Sequence, residues 1–87
     1  MKDGDHKSKV LHRLLIADGH LKKVIKMVQE DKYCIDVIHQ SLAVQAALKK
    51  IDRIILDNHM RSCVADAIKK GKKDEVVTEV MRVMEKL

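Results

Sequence analysis

Two cysteines and one histidine are the residues of this 87-residue chain best suited to bind a metal. His59 and Cys63 are four positions apart, so a helix would place both side chains on one face. Cys34 comes much earlier, at ~37 Å from His59 along a straight helix. Two thiolates with one imidazole favour Cu(I), with Zn(II) as the main competitor, and structural zinc normally takes four ligands. The spacing alone leaves open that both cysteines are small buried hydrophobic residues and that His59 is an ordinary histidine.

The elements that must position these residues are predicted to be helices. The chain has no proline and a single aromatic residue, and it is rich in residues that favour helices. Apolar residues recur at helical spacing over three segments. We therefore predict an all-α protein with helices over residues 6–29, 32–70 and from about 74 onward. Asp31 is the predicted N-cap of the second helix, and Gly71 is its predicted end.

The predicted central helix is too long for a small globule. Roughly 38 residues make a rod of ~55–60 Å, whereas a compact chain of this size has a radius of gyration of ~12 Å. We expect a three-helix protomer, one domain over residues 1–87, that forms an antiparallel homodimer and assembles further. In such a dimer Cys34 of one chain would lie beside His59 and Cys63 of the other.

The charge of the chain indicates an anionic partner. The net charge is +5 with the histidines neutral, which favours nucleic acid or a membrane surface. No apolar run is long enough to span a membrane, and the N-terminal residues are polar rather than those of a signal peptide. We therefore expect a cytoplasmic protein, in which the two cysteines are reduced.

Two sequence blocks resemble one known family. Residues 33–48 are similar to the YCxDVxxQxxAVxxAL block of the copper-sensing operon repressor (CsoR/RcnR) family, and residues 57–63 are similar to its NHxxxC segment. The similarity extends over about residues 7–86. It implies three-helix protomers that form dimers of dimers, bind operator DNA without metal, and release the DNA when an inducer binds.

The resemblance also implies the ligands. Copper sensors of the family use a Cys, a His and a second Cys, which Cys34, His59 and Cys63 supply here. Nickel and cobalt sensors have His at the third position, and persulfide sensors lack the intervening His, so the Cu(I)-sensing branch fits best. Tyr33 and Glu79 match the residues that hold the copper-bound His in copper sensors. They could equally be an amphipathic tyrosine and a solvated glutamate. We expect His6 to be a disordered tail residue, with an added ligand as the alternative.

The DNA contacts are predicted from basic residues, because no helix-turn-helix, zinc finger or basic zipper is present. Arg13 and Lys50 match family positions that contact DNA, and Asp18 departs from the basic residues that many relatives carry nearby. The further basic candidates on the first two helices are Lys7, Lys9, Lys49 and Arg53.

Other functions remain open at this stage. The chain could be a thiol or persulfide sensor, or a sensor of another metal, with the same fold. A helical adaptor without an inducer is the alternative from another class. An enzyme is not expected, because no nucleophile with an orienting base and no phosphate-binding loop is visible, and neither a small organic substrate nor a membrane partner is predicted.

Overall fold

The helices of this protein follow closely from its apolar spacing. The computed structural model describes residues 1 and 3–87, and the described residues form helices joined by turns and short irregular segments, without a strand. The helices are α1 (Gly4–Gln29), α2 (Cys34–His59), a π-helical segment (Met60–Val64), α3 (Ala65–Lys69) and α4 (Lys73–Met84). The predicted all-α class is confirmed. The chain divides into two units, Met1–Asp52 and Arg53–Leu87, which are described separately.

Helix α1 begins two residues earlier than predicted because Asp3 caps it. The Asp3 carboxylate accepts hydrogen bonds from the backbone N–H groups of Asp5 and His6, at 3.0 and 3.4 Å. His6 therefore lies in the first turn of the helix, where it is half-buried. Its Nε2 atom is buried and has no hydrogen-bond partner among the described residues. The prediction of a disordered tail residue was wrong.

Asp31 ends α1 rather than beginning α2. Its φ is 55°, in the left-handed region, and its N–H donates to the carbonyl of Val28 at 3.1 Å. The N–H of Lys32 donates to the carbonyl of Met27 at 3.0 Å, which completes a Schellman motif. The predicted N-cap role of Asp31 was wrong. That position belongs to Tyr33, whose carbonyl accepts the first hydrogen bond of α2.

Within the first unit, α1 and α2 bury apolar residues at a spacing of seven. The buried positions are Val10, Ala17 and Val24 on α1 and Val44 and Ile51 on α2. His20 Nε2 lies 2.7 Å from Gln40 Oε1, a hydrogen bond that joins the two helices. An antiparallel pair in this register has Ala17 opposite Val44 and Val10 opposite Ile51. His20 thus has a hydrogen-bond partner within its own chain.

The predicted helix over residues 32–70 is not one uninterrupted α-helix. It begins at Cys34, and after His59 five residues adopt π-helical hydrogen bonding. The Ser62 hydroxyl donates to the carbonyl of Asn58 at 2.7 Å, so a side chain enters the backbone ladder at this point. Such bonds bend helices, and π turns occur often at functional sites.

The second unit has a small apolar core. Helix α4 packs against the π-helical segment and α3, and Val64 and Val80 are buried. Gly71, with a φ of 79°, ends α3, as predicted. Its N–H donates to the carbonyl of Ile68 at 3.1 Å, and the next N–H donates to Ala67, a second Schellman motif. Helix α4 starts one residue before the predicted position.

Many large apolar side chains of the described residues stay exposed. No large side chain among the described residues is completely buried, and many apolar side chains on α1, α2 and α4 are accessible to solvent. None of the helices in the described part of the chain combines the length and apolarity of a membrane span. An exposed apolar surface of this kind marks an interface with another macromolecule.

Candidate metal centre

His59 and Cys63 lie on either side of the junction between α2 and the π-helical segment. His59 is the last residue of α2 and is half-buried, and the Cys63 thiol is free and exposed. Arg61, between them, donates from Nε to both carboxylate oxygens of Asp57, at 3.2 and 3.1 Å. The pair is mostly exposed, so it contributes little stability.

Ser62 connects the thiol to the helix distortion. Its hydroxyl oxygen lies 3.7 Å from Cys63 Sγ while it donates to the carbonyl of Asn58. A turn closed by i→i+5 bonds is wider than an α-helical turn, so it changes the direction of the side chains it carries. Ser62 and Asn58 were not predicted as site residues. The only signal was that a Ser four positions after a carbonyl can bond back to it.

Cys34 is the first residue of α2, and its thiol is free and exposed. Together with Cys63 and His59, Cys34 offers the soft donor set predicted for Cu(I).

Among residues 1 and 3–87, no group of three or more His, Cys, Asp or Glu side chains could hold a metal ion. Cys34 lies in the first unit, and His59 and Cys63 lie in the second. The assembly of one site from two chains stays a prediction. The ligand assignment itself stays a prediction.

The two residues predicted to support His59 are both accessible. Tyr33 is 68% exposed at the start of α2, and Glu79 is exposed on α4. Neither is buried in a way that assigns it a structural role in the core. Their predicted contacts with a metal-bound histidine also remain untested.

The basic residues predicted to contact DNA are all exposed. Lys9 and Arg13 lie one turn apart on α1, and Lys49 and Lys50 lie on α2, as does Arg53. Asp18, which seemed unfavourable near a phosphate, forms an ion pair with Lys22 at 3.0 Å. It lies roughly 140° around the helix from Arg13, so it does not share the face of that predicted DNA contact.

Comparison with known proteins gives a consistent result. The profile of a family described as metal-sensitive transcriptional repressor matches residues 6–86. The copper-sensing transcriptional repressor CsoR of Bacillus subtilis is 36% identical over 98% of this chain and 84% of its own length. CsoR of Mycobacterium ulcerans is 38% identical over 88% of this chain, which spans 66% of that protein.

Two solved structures are also similar. The crystal structure of CsoR with Cu(I) from Geobacillus thermodenitrificans has a TM-score of 0.91 and 32% identity, over 99% of this chain and 90% of its own. The nickel-responsive transcriptional regulator InrS has a TM-score of 0.75 and 34% identity, over 91% of this chain and 89% of its own. The fold is therefore shared by regulators that respond to different metals.

Proposed function

Because this chain belongs to the family of metal-sensitive transcriptional repressors, we propose that it is a copper(I)-responsive repressor of transcription. It binds operator DNA as a homo-oligomer without metal and releases the DNA when Cu(I) binds to Cys34, His59 and Cys63. The family consists of transcriptional regulators, so no enzymatic activity is proposed. The cytoplasm, where the operator is, stays the predicted location.

The observation that carries the proposal is the pair of accessible reduced thiols with a half-buried imidazole. Cys34 and Cys63 are both free and exposed, so neither is a buried hydrophobic core residue in the protomer. Their exposure in the protomer supports a role as metal ligands over the alternative of two small buried hydrophobic residues. Thiolates prefer Cu(I) over the harder divalent ions, and three protein donors leave the fourth position of a zinc site unfilled.

The ligands are proposed to come from two chains. Cys34 of one chain would join His59 and Cys63 of the other, because Cys34 and His59 are the first and last residues of α2, which is ~37 Å long if straight. Cu(I), when bound, would supply bonds that link the two subunits through thiolate and imidazole groups. A homodimer, assembling to a homotetramer, also accounts for the exposed apolar side chains.

Release of DNA requires that metal and DNA favour different arrangements of the helices. By linkage, a ligand shifts an equilibrium only by its difference in affinity for the two states. His59 lies where α2 meets the π-helical segment, and α4 packs on that segment. A bond at His59 therefore acts where α2 and α4 are connected. Tyr33 and Glu79 are proposed to hold the other ring nitrogen of His59.

DNA binding is proposed to depend on the basic side chains of α1 and α2. Arg13, Lys50, Lys9, Lys49 and Arg53 are exposed and free to contact phosphates. Several phosphate contacts from each oligomer make the affinity fall steeply with salt. Lys50 acts as a point charge rather than as the fork of an arginine, so it contributes affinity more than base discrimination.

The test is an anaerobic Cu(I) titration of the protein bound to fluorescent DNA from its own promoter. Wild type should bind one Cu(I) per subunit and dissociate. His59→Ala should bind copper through its two thiolates but remain on the DNA. His39→Ala, which changes an exposed histidine in the same helix, is the matched control and should behave like wild type.

Other outcomes separate the alternatives. If Ni(II) or a persulfide donor releases the DNA and Cu(I) does not, the protein is a repressor with a different inducer. That Ni(II) arm is required because InrS, a nickel-responsive regulator, has a similar structure. If the protein does not bind promoter DNA at any salt concentration, the repressor proposal is wrong and an adaptor role gains support.

A further inference from the structure

Helix α1 carries exposed apolar residues beside its buried seam. These residues, here called the α1 stripe, are spaced alternately by three and four positions when Asp18 is counted with them, as in a helix that packs along its length. Their exposed fractions range from 37% to 59%. The α1 stripe consists of Leu11, Leu14, Leu21, Ile25 and Val28, with Asp18 at its centre.

Asp18 interrupts the α1 stripe with a charge. Its carboxylate forms an ion pair with Lys22 Nζ at 3.0 Å, and the two side chains are 53% and 74% exposed. In the isolated chain an exposed ion pair of this kind contributes little to the free energy of unfolding. Once another helix covers the stripe, Asp18 loses solvent and needs a positively charged partner, because an unpaired charge in an apolar interface is costly.

The spacing of the α1 stripe is the same in both directions along the helix. An antiparallel second copy can therefore place Leu14 against Ile25 and Leu11 against Val28 of the partner subunit. In this register Asp18 meets the turn of the partner that carries Leu21 and Lys22. A parallel copy would instead place the two Asp18 carboxylates against each other, which is unfavourable.

We propose that Asp18 and Lys22 determine which chains this repressor assembles with, by exchanging their ion pairs between two antiparallel copies of α1. The occupant of the α1 stripe is a second copy of this chain. The inference rests on the proposed assembly into homo-oligomers and adds the residues that select the partner. A related chain that lacks an acidic residue at position 18 and a basic residue at position 22 would form neither ion pair with this chain. It would therefore be excluded from the oligomer.

The test uses the double reversal Asp18→Lys/Lys22→Asp in the full-length apo protein. It keeps an ion pair within each helix, so folding should be preserved, and circular dichroism checks this. The variant should assemble with itself as well as wild type does. Mixed with wild type it should form hetero-oligomers at about one tenth of the statistical share or less, because like charges then meet at both positions. Native mass spectrometry after subunit exchange measures that share.

The matched control is the double reversal Lys26→Glu/Glu30→Lys. This is also an ion pair four residues apart at the end of α1, but Lys26 lies outside the α1 stripe. It should mix with wild type in statistical proportions. In ~1 M salt, where the Debye length is ~3 Å, the Asp18/Lys22 variant should regain part of its mixing.

The possible failures are distinguishable. If wild type sediments as a monomer, the proposed assembly and this inference are both wrong. If wild type assembles but mixes freely with the Asp18/Lys22 reversal, only the exchange of ion pairs is overturned, and the repressor proposal stands.

Discussion

Gly71 and Gly19 are both glycines in helical surroundings, but their backbones have different requirements. Gly71 has a φ of 79° at the end of α3, whereas Gly19 lies inside α1. Nothing lies within 4 Å of a Cβ atom built on either residue. The difference between them is therefore conformational and not steric, which makes the two positions a clean comparison.

We expect Gly71→Ala to lower the free energy of unfolding by about 1 kcal/mol, because a side chain disfavours the left-handed region. Gly19→Ala should raise it by about 0.5–1 kcal/mol, because glycine weakens a helix interior. Urea denaturation at equal protein concentration measures both changes. Stabilisation by both substitutions would contradict the left-handed role of Gly71.

Ser62 and Thr78 make the same type of hydrogen bond in different helical settings. Ser62 bonds to the Asn58 carbonyl at the π-helical segment, and Thr78 Oγ1 bonds to the Asp74 carbonyl in regular α4, at 2.8 Å. Only the first of these contacts is next to a proposed metal ligand. Removing each hydroxyl in turn therefore distinguishes an effect on metal binding at the proposed site from a general effect on helix structure.

We predict that Ser62→Ala weakens Cu(I) binding by about tenfold, the loss typical of groups that orient metal ligands. Thr78→Ala, the matched control, should leave the affinity unchanged. Competition with a Cu(I) chelator measures both. Equal affinities for Ser62→Ala and wild type would show that the hydroxyl has no part in placing Cys63.

At the scale of elements, the hydrogen bond between His20 and Gln40 connects α1 to α2. This hydrogen bond lies between two helices whose small and branched apolar side chains are buried at a spacing of seven residues. In paired helices a single polar contact of this kind sets the register at some cost in stability.

A double-mutant cycle of His20→Ala and Gln40→Ala should give a coupling energy of about 0.5–1.5 kcal/mol, the net value of an intramolecular hydrogen bond. The single variant His39→Ala, at an exposed neighbouring position, should change stability by less than about 0.5 kcal/mol. A coupling energy of zero would mean that the two side chains do not interact in solution.

The elements also show how far the sequence could predict this structure. Both ends of α1 and the start of α4 were predicted within two residues, because apolar spacing and terminal residues such as Gly71 act locally. Asp31 was assigned to the wrong helix end, since an aspartate suits both an N-cap and a left-handed C-terminal position. The π-helical segment was missed because it depends on which carbonyl the Ser62 hydroxyl meets, and residue type does not specify that.

The metal site was only partly predictable for a related reason. The residue types Cys34, His59 and Cys63 indicate soft-metal chemistry, but their spacing along the chain does not bring them together. The resemblance of two sequence blocks to a known family supplied the ligand set and the repressor function. The family membership is confirmed, and the ligands stay a prediction.

At the scale of the whole molecule, the chain buries too little apolar surface for us to expect a stable folded monomer. Among the described residues few side chains are buried and none of the large ones is buried completely, and an apolar cavity of about 520 Å³ opens in the second unit beside α4. Small chains of this kind are commonly stabilised by association. Folding and assembly should therefore be coupled.

We expect the melting temperature to rise with protein concentration, because only the assembled state is stabilised by mass action. Differential scanning calorimetry from roughly 5 to 500 μM should show a shift of several degrees. A melting temperature independent of concentration would indicate a protomer that is stable by itself.

Tyr33 gives the molecule an unusual optical property. The chain contains no tryptophan and no other tyrosine, so its near-ultraviolet emission arises from one phenol ring. That ring is exposed and directly precedes Cys34. The intensity of tyrosine fluorescence therefore reports the environment of one proposed ligand without background from the rest of the protein. Metal occupancy at Cys34 and the anisotropy of labelled DNA can be followed in the same cuvette. The two signals would show whether metal binding precedes the release of the DNA.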